Sequence, residues 1–149
     1  MAHYPINVDL SGRRCVVVGG GAVAERKVES LVAFGAAVVV VAPEVTPALR
    51  EMAEQGVVEH ICASYESRHL NGAFLAIAAT DDREVNKAVY SDAQTRAILV
   101  NVVDDPELCV FYVPAVVRRG DFLISVSTSG RAPAMAKRVK EQLEMHYGP

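Results

Sequence analysis

Cys15-Val16-Val17-Val18-Gly19-Gly20-Gly21-Ala22-Val23-Ala24 is the stretch that decides the fold. A cysteine and three valines have the composition of a buried strand, and three glycines end it. Beyond them Val23, Val28, Leu31 and Val32 form an apolar stripe that predicts a helix over 22–34, closed by Gly35. The turn between strand and helix reads G-x-G-x-x-A, with a task for each small residue. Gly19 permits the tight turn, Gly21 lets the backbone approach a pyrophosphate, and Ala24 lets the helix lie close to the sheet. The N-terminus of that helix offers N–H groups and the positive end of its dipole to the same anion. Alone, the pattern is also compatible with a purely structural turn. Its position between a strand and a helix favours a nucleotide.

The rest of the chain repeats the alternation. A β-branched run over 37–41, apolar on both faces, predicts an interior parallel strand stopped by Pro43. A helix follows over 46–55, capped by Thr46 with Pro47 in its first turn. Strands are predicted at 57–62, 73–79 and 98–103, and a helix capped by Asp81 at 83–95. Five strands with a right-handed crossover after each predict an α/β fold, a Rossmann-type doubly wound parallel sheet. After Pro106 the pattern changes. The segments 111–114 and 122–126 are expected to pair as a hairpin joined through 118–121, a polar turn covers 127–131, and Pro133 opens a helix reaching about Met145. The expected division is a nucleotide-binding domain over 1–105 and a small α+β segment over 106–149. The latter is too short to bury its own apolar face, so it is expected to pack on a partner chain.

In a doubly wound sheet, ligands lie beyond the carboxyl ends of the strands where the winding reverses. The second strand ends in Ala42-Pro43-Glu44. Glu44 lies one or two positions past the end, either reaching the ribose hydroxyls or standing as a surface acid ahead of the helix. No arginine follows to receive a 2′-phosphate, so NAD is expected rather than NADP. The fourth strand ends in Ala78-Ala79-Thr80-Asp81-Asp82 and the fifth in Asn101-Val102-Val103-Asp104-Asp105. Asp81 or Asp82 has an alternative use as a helix cap. Asp104 precedes no obvious helix, and a carboxylate beside a nicotinamide is suited to remove a proton while hydride leaves.

Composition sets the outer limits. With 51% hydrophobic and 22% charged residues the chain is globular rather than disordered. The cysteines Cys15, Cys62 and Cys109 form no CxxC pair, which disfavours a disulfide framework or a zinc site and suits reduced thiols in the cytoplasm. His60 and His69 are expected to be structural, and no metal site is expected. The first residues lack a basic segment leading into an apolar one, so no signal peptide is expected. The longest apolar run, 36–43, is too short to span a bilayer. A net charge of −3 gives no reason to expect nucleic acid. The charge is uneven, however. Residues 41–110 hold twelve acids against five bases, whereas 118–140 hold Arg118, Arg119, Arg131, Lys137, Arg138 and Lys140 against Asp121 alone. That basic segment is either a solvated face or a docking surface for an anion.

Taken in order, Gly19 to Lys27, Ala78 to Asp82, Asn101-Val102-Val103-Asp104, Phe111 and Pro114, and Ser127-Thr128-Ser129-Gly130 with Pro133 and Ala136 resemble the dehydrogenase module of siroheme synthase, also found as stand-alone precorrin-2 dehydrogenase. The resemblance spans nearly the whole chain. It implies a Rossmann domain followed by a dimerisation segment exchanged between subunits, and NAD-dependent oxidation of precorrin-2 to sirohydrochlorin. In bifunctional members it also implies ferrous iron insertion. It assigns the catalytic aspartate to Asp104 and cofactor contacts to Ala22, Val23, Pro43 and Glu44; the glycine turn and the end of the fourth strand add Gly19, Gly20, Gly21, Thr80 and Asp81 as expected cofactor contacts. Asn101, Ser127, Thr128 and Arg131 are the expected substrate contacts, and the basic segment suits a tetrapyrrole bearing eight carboxylates. Many members continue past the position of Pro149 into a helical domain over the substrate, so for this chain alone the expectation of cofactor binding comes before those of turnover and chelation. Two other readings compete: a non-catalytic NAD-sensing module, and a chelatase or tetrapyrrole carrier without redox chemistry.

Overall fold

The computed structural model describes residues 2–147. They fall into two compact units, Ile6–Val110 and residues 111–147 with 2–5. The larger unit holds a five-stranded sheet made of β1 (Arg14–Val18), β2 (Ala37–Val41), β3 (Glu59–Ile61), β4 (Leu75–Ala78) and β5 (Leu99–Val102). All pairings are parallel and the spatial order is β3-β2-β1-β4-β5. Winding runs outward from β1 through β2 to β3, then returns to the other side of β1. The reversal therefore lies between β1 and β4, which is where such folds hold their ligands.

Helices α1 (Ala22–Ala33), α2 (Pro47–Glu54) and α3 (Arg83–Thr95) form where the stripes predict them. Thr46 caps α2 through a bond from the Leu49 N–H to its Oγ1 (3.3 Å). One face of the sheet packs Val16, Val18, Val39, Val41, Ala76, Ala78, Val100 and Val102 with Val89 and Ala93 of α3. Alternation places Val17, Val40 and Ile77 on the opposite face, buried as well. Burial on both faces explains why these strands read as unbroken valine runs.

The crossover from β3 to β4 carries a 3-10 turn, Ser67–Leu70, rather than a helix. Two expectations need correction. No crossover follows β5, because the chain leaves the sheet there for the second unit. In that unit the first strand is β6 (Ala115–Arg119), not 111–114; it pairs antiparallel with β7 (Phe122–Val126). Pro114 has no N–H for a ladder. The Arg119–Phe122 pairing leaves a two-residue loop whose first residue, Gly120, has φ +57°, a position that favours glycine. Helix α4 (Pro133–Tyr147) completes the unit.

Candidate active site at the reversal of the sheet

Register brings the strand ends level. Val18 pairs with Val41 and with Ala78, and Ala78 pairs with Val102. The loops after β2, β1, β4 and β5 therefore open side by side, and a strand spacing of about 4.8 Å puts the end of β5 roughly 10 Å from that of β1.

The three glycines after β1 do different things. Gly19 has φ +130° and donates its N–H to the Val41 carbonyl (3.0 Å); a β-carbon on it would overlap the Ala79 carbonyl oxygen. A β-carbon on Gly20 would overlap the Glu44 carbonyl oxygen and press on Val45, and the Gly20 carbonyl accepts the Thr46 N–H (3.0 Å). Both glycines are thus required by the protein's own packing. Gly21 is different. It is the N-cap of α1, supplies no side-chain cap, and has open space where a β-carbon would stand. The first-turn amides, including those of Ala22 and Val23, have no partner within the helix. An open, uncapped helix start of this kind fits the diphosphate of a dinucleotide.

Pro43 and Glu44 follow β2 directly and are both exposed. The loop carrying them is held from behind by β3: the His60 ring bonds the Ala42 carbonyl (2.8 Å) and Cys62 Sγ donates to the Pro43 carbonyl (3.2 Å). His60 therefore has the structural role expected of it.

At the end of β4 it is Asp82 that caps α3, accepting the N–H groups of Glu84 (2.9 Å) and Val85 (3.3 Å). The expected cap, Asp81, is exposed and free of that duty. Thr80 is fixed by Asn86, a residue sequence reasoning missed. Its Oγ1 donates to Asn86 Oδ1 (2.6 Å), its N–H donates to the same oxygen (3.3 Å), and its carbonyl accepts from Asn86 Nδ2 (3.0 Å). The signal was present. Asn86, Val89 and Ala93 share the buried face of α3, so an amide interrupts an otherwise apolar stripe.

β5 delivers Asn101, buried within the sheet opposite Ile77, and then Asp104, which is exposed. Asp104 sits in the left-handed region at φ +63°. That conformation costs an aspartate less than most residues, and the following turn holds it. Cys109 Sγ donates to the Val102 carbonyl (3.1 Å), lies 3.3 Å from the Asp105 carbonyl and accepts the Val102 N–H (3.3 Å). Burial pushes the Cys109 thiol above its ordinary pKa, so it remains protonated and able to donate at neutral pH. Beside this turn lies an open cavity of about 340 Å³ lined by Arg83, Asn86, Val102, Val103, Asp104 and Asp105.

The remaining expected contacts belong to the second unit. Ser127 Oγ accepts the Ser129 N–H (3.1 Å) and Thr128 Oγ1 accepts the Ala132 N–H (3.0 Å), so both hydroxyls shape the turn into α4. Arg131 is exposed. Among the described residues no three of His, Cys, Asp and Glu gather as a metal-holding group, and no helix is long and apolar enough to cross a membrane.

The family described as putative NAD(P)-binding matches residues 6–115, and that described as sirohaem biosynthesis protein central matches 119–146. A solved structure titled SirC, precorrin-2 dehydrogenase, superposes with a TM-score of 0.83 at 33% identity, over 97% of this chain and 71% of that one. The chain belongs to the precorrin-2 dehydrogenase and siroheme synthase family. Siroheme synthases of Photobacterium profundum and Methylobacillus flagellatus are 47% and 48% identical over 144 residues, 97% of this chain. The chain spans about 31% of the length of those relatives. Apo D-lactate dehydrogenase from Escherichia coli shares the fold alone, with a TM-score of 0.50 and 13% identity.

Proposed function

We propose that this chain is a dehydrogenase module that oxidises precorrin-2 to sirohydrochlorin with NAD. The observation that carries this reading is a carboxylate, Asp104, held in a left-handed turn at the end of β5, two strands from a glycine turn whose helix start is open and uncapped. Membership of the family and the precorrin-2 dehydrogenase structural relative support it.

In this reading the amides after Gly21, with Ala22 and Val23, hold the diphosphate, and Gly19 and Gly20 set the turn that presents them. Pro43 and Glu44 meet the adenosine ribose, and Thr80 and Asp81 border the nicotinamide. When bound, NAD supplies the hydride acceptor. Asp104 receives the proton that the macrocycle loses with the hydride, and its exposure lets it pass that proton to water. Asn101, Ser127, Thr128 and Arg131 orient the substrate. Arg119, Arg131, Lys137 and Arg138, all exposed, answer its carboxylates.

The second unit acts as the dimerisation segment. Among its described residues only Val117 and Ala136 are buried hydrophobics, whereas Phe122, Leu123, Met135, Met145 and Tyr147 are exposed. So small a core with so much exposed apolar surface suits a homodimer, and a cytoplasmic location fits the three free thiols. Following sirohydrochlorin absorbance with and without NAD tests the function. Cofactor-dependent conversion supports it. NAD binding without conversion would favour a sensor, and pigment binding without oxidation would favour a carrier or chelatase.

A further inference from the structure

Two residues on α3, Arg83 and Asn86, carry side-chain donors beyond those the fold takes up. Arg83 is the first residue of the helix, where a cation opposes the positive end of the dipole. Its side chain is 77% exposed, and its one ion pair among the described residues, to Asp105 Oδ2, is at 4.0 Å. An exposed pair at that separation contributes little to stability. Asn86 follows three positions later, on the same side of the helix. It is 92% buried by its 8% relative exposure, in a stripe otherwise given to Val89 and Ala93. Its oxygen is taken by Thr80 and one Nδ2 hydrogen by the Thr80 carbonyl, which leaves the second Nδ2 hydrogen.

Both residues line the cavity that contains Asp104, and among the described residues Arg83 is its sole basic lining residue. The α3 side of that cavity therefore offers donors, a five-donor guanidinium fork and an amide N–H, while the β5 side offers the carboxylates of Asp104 and Asp105. A neutral ligand would make poor use of a loosely tied arginine there. An acid group would be held by the fork and kept off the two aspartates.

We propose that Arg83 and Asn86 form a carboxylate subsite that anchors one acidic side arm of the substrate macrocycle beside Asp104. The inference rests on the tetrapyrrole reading above and names two residues through which the site recognises that substrate class. Arg83 supplies charge and the planar fork; Asn86 supplies a fixed donor while holding Thr80. The subsite lies wholly within Ile6–Val110.

The test uses the full chain and two probes, a porphyrin carrying eight carboxylates and one carrying four, with binding read by porphyrin fluorescence. NAD affinity is measured in parallel. Replacing Arg83→Ala is expected to weaken the eight-carboxylate probe about tenfold, from the loss of one charge-assisted pair. Arg83→Lys should recover part of that, and NAD affinity should not change. The loss should shrink in high salt. Equal affinity of the native chain and Arg83→Ala for the eight-carboxylate probe would overturn the subsite while leaving the dehydrogenase reading in place. If the native chain binds NAD but neither porphyrin, the tetrapyrrole reading falls and the subsite with it. Because Asn86 also holds Thr80, Arg83 carries the decisive comparison; its side chain is exposed, so its variants are expected to keep the native melting temperature.

Discussion

The Cys109 thiol holds Val102 on both of its backbone groups, donating to the carbonyl at 3.1 Å and accepting the N–H at 3.3 Å. Val102 is the last residue of β5, and Asp104 stands two residues beyond. One side chain thus ties the loop back onto the strand that carries the proposed base. Cys109→Ala should lower stability by about 1 kcal/mol, or roughly 2–4 °C in melting temperature for a chain of this size. Hydrogen exchange should quicken at the Val102 amide. An unchanged exchange rate there would mean that the thiol does not hold the loop.

The glycine turn predicts two opposite outcomes from the same substitution. Gly19→Ala places a β-carbon on the Ala79 carbonyl at a positive φ, so it should destabilise the chain by more than about 2 kcal/mol. Gly21→Ala meets open space, so its melting temperature should stay near that of the native chain. Its NAD affinity should fall about tenfold, because the added methyl stands at the uncapped helix start. Calorimetry of each variant with and without NAD reads both effects.

Alkaline pH should weaken the fold through Cys15. Burial pushes its pKa up to about 11 from an ordinary value of 9.0. The folded chain therefore keeps a proton that the unfolded chain releases, so this contribution is complete below pH 9 and is lost as pH rises toward 11. The Tyr65 hydroxyl, raised by burial and then by its bond to Asp92 (2.7 Å), acts in the same direction at higher pH. Denaturant titrations between pH 8 and about 10.5 should show a steeper decline for the native chain than for Cys15→Ala. Parallel slopes would remove Cys15 as the cause.

Asn86→Ala removes all three bonds to Thr80. Thr80 is half-buried and its hydroxyl keeps its bonds with the Asp82 backbone, so losing the Asn86 amide should cost about 1 kcal/mol. A melting temperature within 1 °C of the native value would contradict the structural half of the role given to Asn86, since even about 1 kcal/mol should shift it by more than that.

The α/β sheet was legible because its physics is local. Valine runs buried on two faces, Thr46 before Pro47, and glycines between strand and helix each have one economical reading. The cap of α3 was ambiguous because Asp81 and Asp82 are chemically equivalent, and only backbone geometry decides that Asp82 accepts the Glu84 and Val85 amides. The start of β6 was misplaced because 111–114 and 115–119 are both rich in β-formers, and the hairpin register set by Gly120 selects the second. Asp104 was legible as a strand-end acid, but its left-handed φ and the Cys109 contacts were not, since they depend on how residues 102–109 close on themselves. Gly20 belongs with these. Its need arises from the Glu44 carbonyl, a contact made only when β2 lies beside β1.

The most direct test of the account measures NADH formed when precorrin-2 is added to the native chain and to Asp104→Asn, with NAD affinity determined for both. The native chain should form NADH only when precorrin-2 is present. Asp104→Asn should be slowed at least about a hundredfold, the size of a lost proton-transfer partner, while binding NAD as the native chain does. An Asp104→Asn variant that forms NADH at the native rate would contradict the role of Asp104, and a native chain that forms none would contradict the function itself.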